Sequence, residues 1–91
     1  MRILIVEDEP SIAGAIDAAL ARDGYAVDVV GDGAEALAWA AAYDYDLAVV
    51  DVVLPGLDGR ELVRRLRERG DHLPIVMLTA LDSVADRIAG L

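Results

Sequence analysis

Three positions where chemistry could sit lie just past apolar runs. Glu7 and Asp8 follow Ile3–Val6, Asp51 follows Leu47–Val50, and Thr79 follows Ile75–Leu78. Taken singly, Glu7 and Asp8 read as solvated loop acids, Asp51 as a turn or cap residue and Thr79 as a helix cap. Taken together, at the ends of successive strands, they suggest one site. Carboxylates gathered there repel one another, and a divalent cation relieves that repulsion. An all-oxygen set that also keeps waters suits Mg²⁺ better than zinc or copper. Mg²⁺ beside an exposed carboxylate is an arrangement for phosphoryl transfer, with Asp51 as the attacking oxygen and Thr79 donating its hydroxyl to the phosphoryl group.

Such a site needs elements that bring these residues to one rim. Ile3–Val6 and Leu47–Val50 are apolar on both faces, as strands buried inside a parallel sheet are. Ala26–Val30 alternates through Asp28 and reads as an edge strand. Ile75–Leu78 is the fourth strand, running out at Thr79-Ala80. Between them lie helical patterns. Pro10 opens the first, with Ile12, Ile16, Ala19 and Leu20 on its inner face and Gly24 past its end. The second spans about Ala34–Ala42, with Leu37 and Ala41 inward. Asp58 caps the third, which turns Leu62, Val63 and Leu66 inward and Arg60, Arg64, Arg67 and Glu68 to water. A last helix starts at about Asp82, with Leu81, Val84, Ile88 and Leu91 at helical spacing. The βα alternation predicts an α/β three-layer sandwich around a parallel sheet. In the flavodoxin-like order the first and third strands are neighbours, about 4.8 Å apart, which would crowd Asp8 against Asp51.

Composition narrows the function classes. The chain has 91 residues, one small domain, with 56% hydrophobic residues and a net charge of −9. That balance argues against these residues gripping nucleic acid or an anionic membrane. There is no cysteine, hence no disulfide framework, thiolate metal site or thiol nucleophile. No apolar run reaches the length of a membrane span, and Glu7, Asp8 and Glu9 break the N-terminal run too early for a signal peptide, so the expected compartment is the cytoplasm. All eight basic residues are arginines.

The remaining polar and aromatic residues read as structural. His72 sits in a polar loop, Trp39 covers a helix flank, and Tyr25, Tyr43 and Tyr45 pack beside strands with wet hydroxyls. The arginines of 60–69 alternate with Glu61 and Glu68 as on a solvated helix. Gly56 and Gly59 serve turn and close-packing needs.

The acidic cluster Glu7-Asp8-Glu9, the stretch Asp51-Val52-Val53-Leu54-Pro55-Gly56-Leu57-Asp58-Gly59 and the triplet Leu78-Thr79-Ala80, in that order, resemble the receiver domain of bacterial two-component response regulators over the whole chain. The resemblance implies that Asp51 accepts a phosphoryl group from a phosphohistidine on a sensor histidine kinase. It implies that Asp8 and Asp51 ligate Mg²⁺ directly, Glu7 through water, and Val53 through its backbone carbonyl. Thr79 would be the switch hydroxyl, and the backbone N–H groups of Val53 and Ala80 would hold phosphoryl oxygens. The loop after Asp51, with Asp82, Asp86-Arg87 and Gly90-Leu91, looks most like the branch carrying a winged-helix DNA-binding domain. Transcription control is thereby implied for the parent protein, with no nucleic acid bound by this domain itself.

Residues 1–91 are accordingly expected to form a receiver domain without an output domain, with strand order 2-1-3-4. The family's fifth strand, its phosphate-pairing lysine and its fifth helix have no counterpart here, and the chain contains no lysine. This predicts an uncovered fourth-strand edge, and pairing or element exchange with a second copy through that strand and the last helix. Two other functions compete: a phosphorylation-incompetent dimerisation module, and an enzyme turning over phosphoesters through an aspartyl nucleophile. The enzyme is disfavoured, because the position two after Asp51 is Val53, which cannot move a proton.

Overall fold

The computed structural model describes residues 1–78. Four parallel strands, β1 (Arg2–Val6), β2 (Ala26–Val30), β3 (Leu47–Asp51) and β4 (Ile75–Leu78), alternate with three helices, α1 (Pro10–Arg22), α2 (Gly33–Ala42) and α3 (Gly59–Glu68). The sheet order is β2-β1-β3-β4, as the flavodoxin-like reading requires. The order reverses direction after β2, so right-handed crossovers send α1 to one face and α2 and α3 to the other. The expected strand end at Thr79-Ala80 and the expected last helix lie outside the described residues.

Strand pleating explains the apolar runs. Leu4, Val6, Ala48 and Val50 point to the α2–α3 side, where they join Ala36, Leu54, Leu62, Leu66 and Leu73 in the main core. Ile3, Ile5 and Val49 alternate to the other side and are also buried. Both faces are covered, hence no alternation in the sequence. In β2 only Val30 is buried, which fits an edge strand.

Helix ends follow their capping residues. Asp32 accepts the Glu35 N–H at 2.7 Å and Asp58 the Glu61 N–H at 2.9 Å, the capping that the sequence assigns to Asp58. Gly24 takes φ +89° just past α1, a conformation that disfavours any side chain.

Two helix faces differ from expectation. In α1 the buried residue is Ala13, and Ala19 is exposed. At 100° per residue, Ala13, Ile16 and Leu20 share a stripe, and Ala19 falls at its margin. In α2 the buried residues are Gly33 and Ala36, and Ala41 is exposed. An alanine-rich helix carries too little apolar contrast to mark its own inner face, so contact with α3 decides it.

Tyr45 also departs from expectation. Its hydroxyl donates to Asp28 Oδ2 at 2.7 Å, and Asp28 also pairs with Arg2 at 2.9 Å. The Arg2 guanidinium stacks 5.2 Å and 5.7 Å from the Tyr43 and Tyr45 ring centres. This cluster ties the start of β1 and the middle of β2 to the chain entering β3, away from the acidic residues. The α3 arginines are engaged as the sequence suggests, Arg64 with Glu61 and Glu68, and Arg65 with Glu61.

Candidate functional site

The β1–β3 pairing sets Val6 beside Val50. Continuing each chain past that pair delivers Glu7 and Asp8 from one strand and Asp51 from its neighbour to the same rim. One carboxylate oxygen from each of the three lies within 4.8 Å of the others. Glu7 and Asp51 are buried at 4% and 5% exposure, whereas Asp8 is exposed. The rim therefore has two sheltered acids and one open to solvent.

Local hydrogen bonds aim these side chains. Glu7 Oε1 accepts the Glu9 N–H at 3.0 Å, turning its carboxylate back over the loop. Asp51 Oδ1 accepts the Val53 N–H at 3.1 Å. Each buried acid spends part of its acceptor capacity on the main chain and leaves oxygens facing the shared space. Glu9, the third acid of the cluster, instead caps α1.

Crowding carries an electrostatic cost. Burial pushes the Glu7 carboxyl up from its ordinary 4.5 to about 7. The Glu9 N–H opposes the shift, while the facing Asp51 carboxylate, then the Asp8 charge, add to it. A metal-free folded state thus holds a proton at Glu7 that the unfolded chain releases near 4.5. The stabilisation this provides is complete below about 4.5 and is lost as pH rises through about 7. Between pH 5 and 8, unfolding free energy without metal is expected to fall by up to about 3 kcal/mol from this group. Denaturant titrations at successive pH values measure it. Glu7→Gln should flatten the slope, and saturating Mg²⁺ should reduce it in the unsubstituted chain; an unchanged slope in Glu7→Gln would remove Glu7 as its source.

The donor set fits a hard dication. All three side chains offer carboxylate oxygens, which match Mg²⁺ with waters completing its shell. Val53, expected to contribute its backbone carbonyl, lies two residues past Asp51 in the loop to α3 and is 60% exposed. Thr79 and Ala80 lie outside the described residues. Leu78, the residue before them, pairs with Asp51 across β3–β4.

Two features of the rim depend on glycine. A Cβ at Gly59 would stand 2.1 Å from the Asp51 carbonyl oxygen, and one at Gly33 2.3 Å from the Leu57 carbonyl oxygen. The sequence marks Gly59 as a close-packing residue beside the site. It offers no signal for Gly33, because its partner is 24 residues away and the contact is with main chain.

The chain is similar to known proteins along its full length. It is 50% identical over 91 residues to the transcriptional regulatory protein TcrA of Mycobacterium tuberculosis and 47% identical to the response regulator MprA of Mycobacterium avium. It covers 36% and 40% of those two proteins, so it spans about two fifths or less of their length. Among solved structures, a receiver domain of a Francisella response regulator matches with TM-score 0.84 at 35% identity, covering 98% of this chain and 74% of that one. The response regulator TrrA of Thermotoga maritima, in complex with Mg²⁺-BeF, matches with TM-score 0.83 at 32% identity, covering 98% and 77%. Residues 3–91 match the model of the response regulator receiver domain, and with the sheet order and acidic rim in place, the chain belongs to that family, the signalling domain of two-component response regulators.

Proposed function

We propose that this chain is the phosphoacceptor of a two-component pathway, taking a phosphoryl group onto Asp51 with Mg²⁺ and so switching an output function. The observation that carries this reading is the meeting of Glu7, Asp8 and Asp51 oxygens within 4.8 Å at the C-terminal ends of β1 and β3. Ligands of open α/β sheets bind at this end, where the strand order reverses.

In the reaction, an Asp51 carboxylate oxygen bonds to phosphorus as the bond from phosphorus to a ring nitrogen of the donor histidine breaks, and the electron pair stays on that nitrogen. Asp8 and Asp51 would hold the metal directly, Glu7 through water and Val53 through its carbonyl. Bound there, Mg²⁺ supplies neutralisation of charge on the transferring oxygens. The Asp51 carboxylate is fixed by the Val53 N–H, so little reorganisation precedes attack. In this reading the Val53 and Ala80 N–H groups and the Thr79 hydroxyl receive the phosphoryl oxygens. The Mg²⁺-BeF complex of the similar TrrA supports this choice of metal.

The chain acts as a signalling domain rather than a turnover enzyme, since Val53 offers no general acid two residues past the acceptor. Its donor is a sensor histidine kinase. Residues 1–91 form one receiver domain, in the cytoplasm, and the similarity to transcriptional regulators supports a winged-helix DNA-binding output in the parent protein. Among the described residues no helix is long and apolar enough to cross a membrane.

Mass spectrometry after incubation with acetyl phosphate and Mg²⁺ tests the reading. Here the bond between phosphorus and the acetyl oxygen breaks and acetate leaves. The expected result is a gain of one HPO₃ group that requires Mg²⁺; no gain at any Mg²⁺ concentration would overturn phosphoacceptor activity in this chain.

One observation favours the dimerisation module as a second reading. Among the described residues β4 lies at the sheet edge, and its Val76 and Met77 are 49% and 38% exposed. An apolar edge is suited to pairing with another copy. Light scattering separates the two: a dimer lacking any adduct supports this reading, and a phosphorylated monomer excludes it.

A further inference from the structure

The loop between β3 and α3 leaves and re-enters the fold at one point. The Val52 N–H donates to the Leu78 carbonyl at 3.0 Å, and the Gly59 N–H donates to the Val52 carbonyl at 3.0 Å. Between these anchors, Leu54 enters the core at 7% exposure and Gly56 turns the chain with φ +71°. Leu57 then crosses the first residue of α2. A Cβ at Gly33 would lie 2.3 Å from the Leu57 carbonyl oxygen, 2.9 Å from its Cβ and 3.1 Å from its carbonyl carbon. Two of those three atoms are backbone, so no side-chain rotation relieves the overlap.

Gly33 has no positive φ and is the first residue of α2, a position that does not by itself call for glycine. Glycine is needed there for space alone. The helix behind it is held in place: Asp32 caps it, and Ala36, one turn in, is buried at 1% exposure. The loop in front carries Val53, whose N–H orients Asp51. Leu57 and Val53 thus belong to one short segment anchored at Val52 and Gly59.

We infer that Gly33 is a positioning residue for the metal rim: its missing side chain seats the 53–58 loop against α2, so that the first turn of α2 supports Val53 and Asp51 from behind. This rests on the Mg²⁺ reading given above. Because coupling is reciprocal, metal at the rim should also steady the first turn of α2.

Calorimetric Mg²⁺ titration of the whole chain, with Mg²⁺ alone as the ligand, tests the seat. Gly33→Ala should bind about tenfold more weakly, the scale of losing an outer support to a metal site. Gly31→Ala, in the same turn but with open space around its Cβ position, should bind as the parent chain does. A merely structural role would lower stability without changing the affinity of the folded protein, so affinity is read well below the unfolding transition. If Gly33→Ala does not fold, the exchange measurement on the parent chain decides, since it needs no substitution. Hydrogen exchange should slow at the α2 first turn on adding Mg²⁺ to the parent chain. Affinity within twofold of the parent in the folded variant, an equal loss in Gly31→Ala, or unchanged exchange in α2 would each overturn the seat while leaving the phosphoacceptor reading intact. Failure of the parent chain itself to bind Mg²⁺ would overturn both.

Discussion

Asp51→Asn is expected to abolish the HPO₃ adduct and weaken Mg²⁺ binding, while leaving the fold standing. The carboxamide retains an oxygen that can accept the Val53 N–H, so the local turn persists. It lacks the anionic nucleophile, and its nitrogen cannot displace a leaving group from phosphorus under these conditions. The substitution also removes one of three crowded charges, which relieves Glu7. Unfolding free energy without metal should therefore equal or exceed that of the parent chain at pH 8, where repulsion is greatest. Intact-mass measurement after phosphodonor treatment, with denaturant melts at pH 8, checks both halves. An adduct of unchanged yield in Asp51→Asn would place the acceptor elsewhere. A large loss of stability would mean that the Asp51 charge is a structural partner rather than a strained site group.

Gly59→Ala has the opposite signature: its main effect falls on folding. The added Cβ would be 2.1 Å from the Asp51 carbonyl oxygen and 3.0 Å from both the Asp51 carbonyl carbon and the Val52 Cα, all of them backbone. Asp51 ends a strand paired on both sides, and the Gly59 N–H is bonded to the Val52 carbonyl, so neither side yields easily. Overpacking of this kind costs about 3 kcal/mol, and at the first position of α3 helix propensity offsets only part of it. The net loss of about 2 kcal/mol or more corresponds to a melting temperature lower by roughly 8–16 °C in a domain of this size. Gly14→Ala, in open space within α1, serves as control and should be neutral or stabilising. Thermal melts within 2 °C of the parent for Gly59→Ala would show that α3 can slide away from the strand end.

The two substitutions bracket the site. One removes its reactive group without disturbing the scaffold, and the other disturbs the scaffold without touching a reactive group. Glu7 stands between them, because its burial is a property of the scaffold and its raised proton affinity is a property of the site. The pH dependence expected from Glu7 is therefore the most direct measure of how much folding free energy is held in the rim.

Much of this was legible in the residues. Strand positions were readable because Ile3–Val6 and Leu47–Val50 are apolar without alternation, which only a sheet covered on both faces requires. The acidic rim was readable because strand order, once inferred, places the residues after β1 and β3 side by side. Helix faces were less so. In α2 six of the ten residues are alanine, so Ala36 and Ala41 are indistinguishable until the helix is packed. Tyr45 could be recognised as a packing residue, but its hydrogen bond to Asp28 arises from the alignment of separate strands, which no local pattern encodes.

What the amino-acid sequence determined by itself was the alternation of elements, the cap at Asp58, and the types of group available for chemistry, because those depend on neighbours within a turn or a pleat. Tertiary structure alone decided which of those groups meet. It brought Glu7, Asp8 and Asp51 within 4.8 Å, buried two of the three, and made Gly33 and Gly59 necessary through backbone contacts made across the fold. The physical reason is one of range: capping and pleating act over a few residues, whereas charge crowding, desolvation and steric exclusion act through space between segments that only the packed sheet makes adjacent.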